Sequence, residues 1–220
     1  ADSGGVHRRV WPDVLATVVR HVPGIDGAAF LARYDGVMES HYDRLLRGEL
    51  DFRGFRRQRL AEALAPWGRV EDELFEAYLA VKERVVADLR PQRDALATIR
   101  ALRAAGIRVA VLTNGPSDLQ RRKLAVTGIA AEVDAVAISG EIGARKPDGA
   151  AFAASLQLIG CRPGSAAMVG DSLANDVHGA LAHGFRHVVW FGPHAAAPVL
   201  PVGVLHAGRL AEVPRLLGLA

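Results

Sequence analysis

The chain has 220 residues, half of them hydrophobic, and a formal net charge of +3. That length suits one large domain or a domain with an insertion, and the apolar fraction is enough for a sizeable core. No apolar run is long enough to span a membrane, "ADSGGVHRRVWPD" lacks the apolar segment of a signal peptide, and the single cysteine, Cys161, excludes an internal disulfide framework and fits a reducing cytoplasm.

From about residue 10 to 88 the periodicity is helical. "WPDVLATVVRHV" places Trp11, Val14, Leu15, Val18, Val19 and Val22 on one face and stops at Pro23-Gly24. "DGAAFLARYDGVMESHYDRLLRG" reads as a second helix broken near Gly36, and "DFRGFRRQRLAEALAPWG" as a third. "VEDELFEAYLAVKERVVADL" is a fourth, with acidic residues in its first turn as the helix dipole favours. Together they predict a small helical bundle. The basic run of Arg56, Arg57 and Arg59 reads as a solvated helix face. A nucleic-acid surface is the alternative reading, which lacks interleaved aromatics or a known motif. A modest positive field suits an anionic small substrate.

Beyond about residue 93 the texture changes. Helix "DALATIRALRAAG" precedes the apolar run "IRVAVLTNG". Three further helices then alternate with the strands "VDAVAIS", "SAAMVGD" and "RHVVWFG", and a last strand and helix lie in the tail "GVLHAGRLAEVPRLLG". Alternation of this kind predicts a parallel, doubly wound sheet with helices on both faces. Ligands of such sheets bind beyond the carboxyl ends of the strands.

Three motifs occupy those ends. After "VAVL", the Thr113 hydroxyl and the N–H groups of Asn114 and Gly115 can cradle a phosphate, although the same residues also suit an ordinary turn. Lys146 is one of only three lysines, with Lys82 and Lys123. It offers a compact ammonium to phosphate oxygens and carboxylates, or is a surface lysine before a helix that Pro147 can start. In "MVGDSLANDVHGA", Gly170 permits a tight turn, and Asp171 and Asp176 are hard oxygen ligands suited to Mg²⁺ with phosphate and water, or Asp171 and Ser172 cap the helix.

The ordered set, strand–TNG, KP and strand–GDSxxxD, resembles the haloacid dehalogenase-like (HAD) hydrolase superfamily over essentially the whole chain. Thr113 matches its second motif, Lys146 its third and "GDSLAND" its fourth. The resemblance implies a Rossmann-like α/β core over 90–220 with an inserted helical cap over 8–88, the cap being similar to that of nucleotidases and sugar-phosphate phosphatases. It implies Thr113 and Lys146 as catalytic residues, Thr113, Asn114, Gly115 and Lys146 as phosphate-binding, and Asp171 and Asp176 at the metal, Mg²⁺. The substrate would be a small phosphorylated metabolite, with neither nucleic acid nor membrane as partner.

The family's first motif, a strand followed by D-x-D-x-T, carries the nucleophilic aspartate, and no such motif is present. Asp2 and Asp13 follow no apolar strand. Ala1-Asp2-Ser3 reads as the continuation of that motif, so the nucleophile is expected just upstream of Ala1 and the 220 residues alone are expected to be inactive. In the family that strand lies between those ending in Thr113 and Asp171. Alternative readings are a catalytically silent binding module and a 2-haloacid dehalogenase. Dehalogenases need no Mg²⁺ and replace the acidic fourth motif, so Asp171 and Asp176 speak against the latter.

Overall fold

A computed structural model describes residues 3–194 and 198–219; Asp2 lies outside them. The chain divides into two compact units after Leu89.

The first unit is wholly helical. Helix α1 (Ser3–His21) starts earlier than its apolar periodicity indicates and contains Pro12. The expected second helix is two, α2 (Gly27–Gly36) and α3 (Met38–Leu46), separated at Val37. Helices α4 (Phe52–Leu64) and α5 (Asp72–Ala87) complete the unit. Asp26 caps α2 by accepting from the amides of Ala28 and Ala29, and Asp51 caps α4 by accepting from Gly54, so each carboxylate satisfies donors that the helix start leaves open. Helix α1 lies along α5, and α2 and α3 pack on α4. Val14, Val18, Phe30, Leu60, Leu64, Phe75 and the tyrosines Tyr34 and Tyr78 form the core.

One expectation fails here. Arg56 and Arg59 are not solvated; they are 8% and 4% exposed. Arg59 stacks 3.8 Å over the Tyr34 ring and donates from Nε and Nη2 to the Tyr34 carbonyl at 3.1 and 3.0 Å. The apolar stem and planar head of arginine let it pack where lysine would not.

In the second unit, α6 (Ala95–Ala104) precedes β1 (Ala110–Thr113), α7 (Ser117–Val126), β2 (Ala135–Ile138), α8 (Ser139–Ile142) and α9 (Gly149–Leu158). Strand β3 (Ala167–Gly170) leads into a π-helical turn (Leu173–His178) and α10 (Gly179–Ala182), followed by β4 (His187–Phe191), β5 (Val204–Ala207) and α11 (Val213–Leu216). Helix α9 starts at Gly149, after an Asp148 N-cap, and not at Pro147. All the strand pairs are parallel, and the architecture is Rossmann-like α/β with a separate helical unit.

The expected single sheet is two. Strand β1 pairs with β2, and β3 with β4, which pairs in turn with β5. Among the described residues β1 and β3 therefore have one unpaired edge each, and β4 has none. Peptide groups on an unpaired edge depend on water for their hydrogen bonds.

Amide hydrogen exchange measures this asymmetry. Amides of β4 are expected to exchange at least about tenfold more slowly than those of β1 and β3. Equal protection in all three strands would show that β1 and β3 are covered.

Candidate active site

Thr113 ends β1 in register with Ile138 and is buried. Asn114 follows, and its side chain grips residue 146 twice. Oδ1 accepts from the Lys146 amide at 2.8 Å, and Nδ2 donates to the Lys146 carbonyl at 2.9 Å. Buried Gln120 donates from Nε2 to the Asn114 carbonyl at 2.9 Å, and its side chain fills the space that a Cβ on Gly115 would need. At φ +148°, Gly115 adopts a backbone that other residues rarely tolerate.

The Gly115 amide, expected to face a phosphate, donates instead to Oγ of the fully buried Ser139 at 2.8 Å. Gly140 donates to the Gly115 carbonyl at 3.1 Å. The turn after β1 is thus held by the residues that follow β2. Glu141 adds a staple between α8 and α7: both its oxygens accept from Arg121, at 2.5 and 2.7 Å, and it also bonds Ser117. The hydrogen bond from Arg121, then that from Ser117, hold the Glu141 carboxyl below its usual range against the opposing effect of burial.

Lys146 and Asp176 meet directly. Lys146 Nζ donates to Asp176 Oδ1 at 2.6 Å, and neither side chain has much exposure, at 12% and 4%. Asp176 Oδ2 accepts from the Ser172 amide at 3.0 Å. The wide π turn makes this possible. Val177 as well as Asp176 donates to the Ser172 carbonyl, at 3.1 and 2.9 Å, and Ser172 Oγ caps the turn by accepting from Asn175. Of the two residues expected as possible caps, Ser172 is the one that does so. Gly170 is required because a Cβ there would collide with the Asp176 carboxylate. Gly179 lets α10 approach Phe152, whose ring would lie 2.7 Å from an added Cβ.

Asp171 is exposed, and its carbonyl accepts from Trp190 Nε1 at 2.9 Å. Asp171 and Asp176 therefore differ. Each Asp176 oxygen accepts one hydrogen bond, from Lys146 and from Ser172, so Asp176 orients the Lys146 ammonium. No group of three or more metal-ligating His, Cys, Asp or Glu side chains lies together among the described residues. The donor set still fits Mg²⁺, which is commonly bound through one or two carboxylates, with phosphate and water completing the shell.

One network thus joins the residues that follow Thr113, the Lys146 segment and the turn after Asp171. The family description "haloacid dehalogenase-like hydrolase" matches residues 2–184. The chain belongs to this family. Phosphoserine phosphatase of Thermus thermophilus is 40% identical over 167 residues, covering 72% of this chain and 65% of that protein. The chain thus spans just under two thirds of that relative's length. The crystal structure of a HAD phosphatase from Thermococcus onnurineus superposes with a TM-score of 0.71 at 27% identity, covering 97% of this chain and 90% of that one. A 2-haloacid dehalogenase from Pseudomonas syringae gives a TM-score of 0.70 at 20% identity, with 99% and 93% covered, a likeness of fold.

In this HAD-family chain the motif residues were legible in the sequence, whereas their supports were not. Ser139, Gln120 and Trp190 act through hydrogen bonds to backbone atoms, and only the burial of a polar side chain, invisible in one sequence, marks them.

Removing one partner of a poorly solvated ion pair strands the other. Asp176→Asn is therefore expected to lower unfolding free energy by about 3 kcal/mol in urea titrations. A change within error would show that Lys146 is solvated. A second expectation concerns acid. Because the folded state binds the Glu141 proton more weakly than the unfolded chain does, this staple stabilises at neutral pH. The contribution is lost as pH falls through the lowered folded value. In thermal melts from pH 7 to pH 3, Glu141→Gln should be less stable than the parent at neutral pH, and the difference should vanish at the acid end.

Proposed function

We propose that the protein is a Mg²⁺-dependent phosphohydrolase of a small phosphorylated metabolite, of the nucleotide or sugar phosphate type. The reaction would run through an aspartyl-phosphate intermediate, in the cytoplasm. The observation that carries this reading is the Lys146–Asp176 pair, tied through Asn114 to the end of β1 and through Ser172 to Asp171 at the end of β3. Ligands of open parallel sheets bind at these carboxyl ends. The phosphatase relatives support the same reaction class.

In this reading the Thr113 hydroxyl and the Asn114 amide hold phosphoryl oxygens. Lys146 offsets negative charge as it builds at the nucleophile and the transferred group, and Asp176 keeps its ammonium aimed. Asp171 would hold Mg²⁺, which supplies further charge neutralisation when bound. The nucleophile would be an aspartate of the family's first motif, on a strand seated between β1 and β3, where each has an unpaired edge among the described residues. The helical unit serves as the cap. The dehalogenase reading is disfavoured because Asp171 and Asp176 retain the acidic motif that dehalogenases replace.

A form carrying the D-x-D-x-T segment should release phosphate from p-nitrophenyl phosphate with Mg²⁺ and lose that activity in EDTA. Asp171→Asn should lower kcat/KM roughly a hundredfold, as loss of one transition-state electrostatic contact does. The 220 residues alone should release no phosphate above background, since their sequence has no D-x-D-x-T motif to supply nucleophile and general base. Undiminished turnover in EDTA would overturn the metal assignment, and full activity of the 220 residues would overturn the placement of the nucleophile.

A further inference from the structure

Asp171 and Ser172 share one peptide unit, and both of its polar groups are engaged by side chains. Its carbonyl accepts from Trp190 Nε1 at 2.9 Å, and its N–H donates to Asp176 Oδ2 at 3.0 Å. The peptide is trans, so its C=O and N–H lie in one plane and point opposite ways. Trp190 and Asp176 therefore grip it from opposite edges. Strand β3 leads into Asp171 on one side and the gripped plane follows on the other. The backbone at Asp171, and with it the direction of the Cα–Cβ bond, is set by that pair.

Trp190 is itself closely held. Gly170, Trp190 and His206 lie in register across β3, β4 and β5, and residues in register share one face of a sheet. Residue 170 has no side chain, and the Asp176 carboxylate fills its place. The Trp190 ring, 7% exposed, occupies the space that a Cβ on Gly192 would take. It also packs 4.9 Å from the ring of His206, whose Nε2 donates to the Gly192 carbonyl at 2.8 Å. Leu173 and Val177 of the π turn belong to the same apolar cluster as the indole. Any carbonyl within reach would satisfy a buried indole N–H. This one meets the peptide that Asp176 holds from the other side, while the second Asp176 oxygen holds Lys146. Trp190, the 171–172 peptide, Asp176 and Lys146 thus form one linkage.

We infer that Trp190 is a positioning residue of the site: its indole N–H, opposite Asp176, locks the 171–172 peptide and so holds the Asp171 carboxylate in the orientation in which it would bind a divalent cation. The inference rests on the reading of Asp171 as the Mg²⁺ ligand. Groups that orient a ligating side chain from behind are worth about 10–100-fold in metal affinity.

The test uses Trp190→Phe, which keeps an aromatic ring and removes the donor, and Trp190→Met, which removes the donor with a different apolar side chain. Thermal melts check that both fold. In the ¹⁵N-labelled 220-residue protein, the Ser172 amide should exchange with solvent at least about tenfold faster in both variants, while the Val188 and Val189 amides of β4 stay within about twofold. A role in packing alone would speed all three, and that result, or an unchanged Ser172 amide, overturns the inference. The second arm titrates Mg²⁺ alone into the form carrying the D-x-D-x-T segment, followed by calorimetry. Both variants should raise the Kd about tenfold or more. A Kd that neither variant changes overturns the inference and leaves the phosphatase reading standing. A parent that binds no Mg²⁺ overturns the metal assignment, and the inference with it.

Discussion

Lys146 is held at both ends, its peptide by the Asn114 side chain and its ammonium by Asp176, and the arrangement of the α/β unit's catalytic end depends on that. Strands β1 and β3 belong to separate ladders, so among the described residues no strand pairing fixes the turn after one relative to the turn after the other. The path from Asn114 through Lys146 to Asp176 and Ser172 supplies the connection in side chains. A charge-assisted bond at 2.6 Å is short and directional, and little water competes for either partner. Such a pair contributes less to stability than to uniqueness of arrangement, since desolvating both charges offsets much of their attraction.

Glycine makes the path possible at two points where bulk is excluded. Asp176 can lie against the chain only because residue 170 has no side chain, and Phe152 can reach α10 only because residue 179 has none. The two close approaches bring the π turn down onto β3 and α9, with Val177 and Ala180 fully buried in the same apolar cluster. Beneath the charged pair lies closely packed apolar core.

The helical unit solves a different problem. Its core mixes aromatic rings with arginine stems, and the cations of α4 are satisfied by stacking and by carbonyls as much as by carboxylates. Arginine permits this because its charge is spread over a plane that can lie on a ring while its edge donates. The helical unit thus carries positive charge inside.

Short-range pattern determined much of this in the sequence alone. The periodicity near residue 93 changes because helices and parallel strands bury different repeats. The break near Gly36 and the acidic first turn of α5 are likewise local. Thr113, Lys146 and Asp171 stood out because chemistry at strand ends needs particular residue types at particular places. Tertiary structure alone decided the rest. It committed the Gly115 amide to Ser139, made Asp176 the partner of Lys146, and buried Arg56 and Arg59. It also divided the strands into two ladders. Each of these outcomes depends on which groups from distant segments come within hydrogen-bond reach. A sequence specifies donors and acceptors one by one, but the pairing among them is settled only when the chain packs.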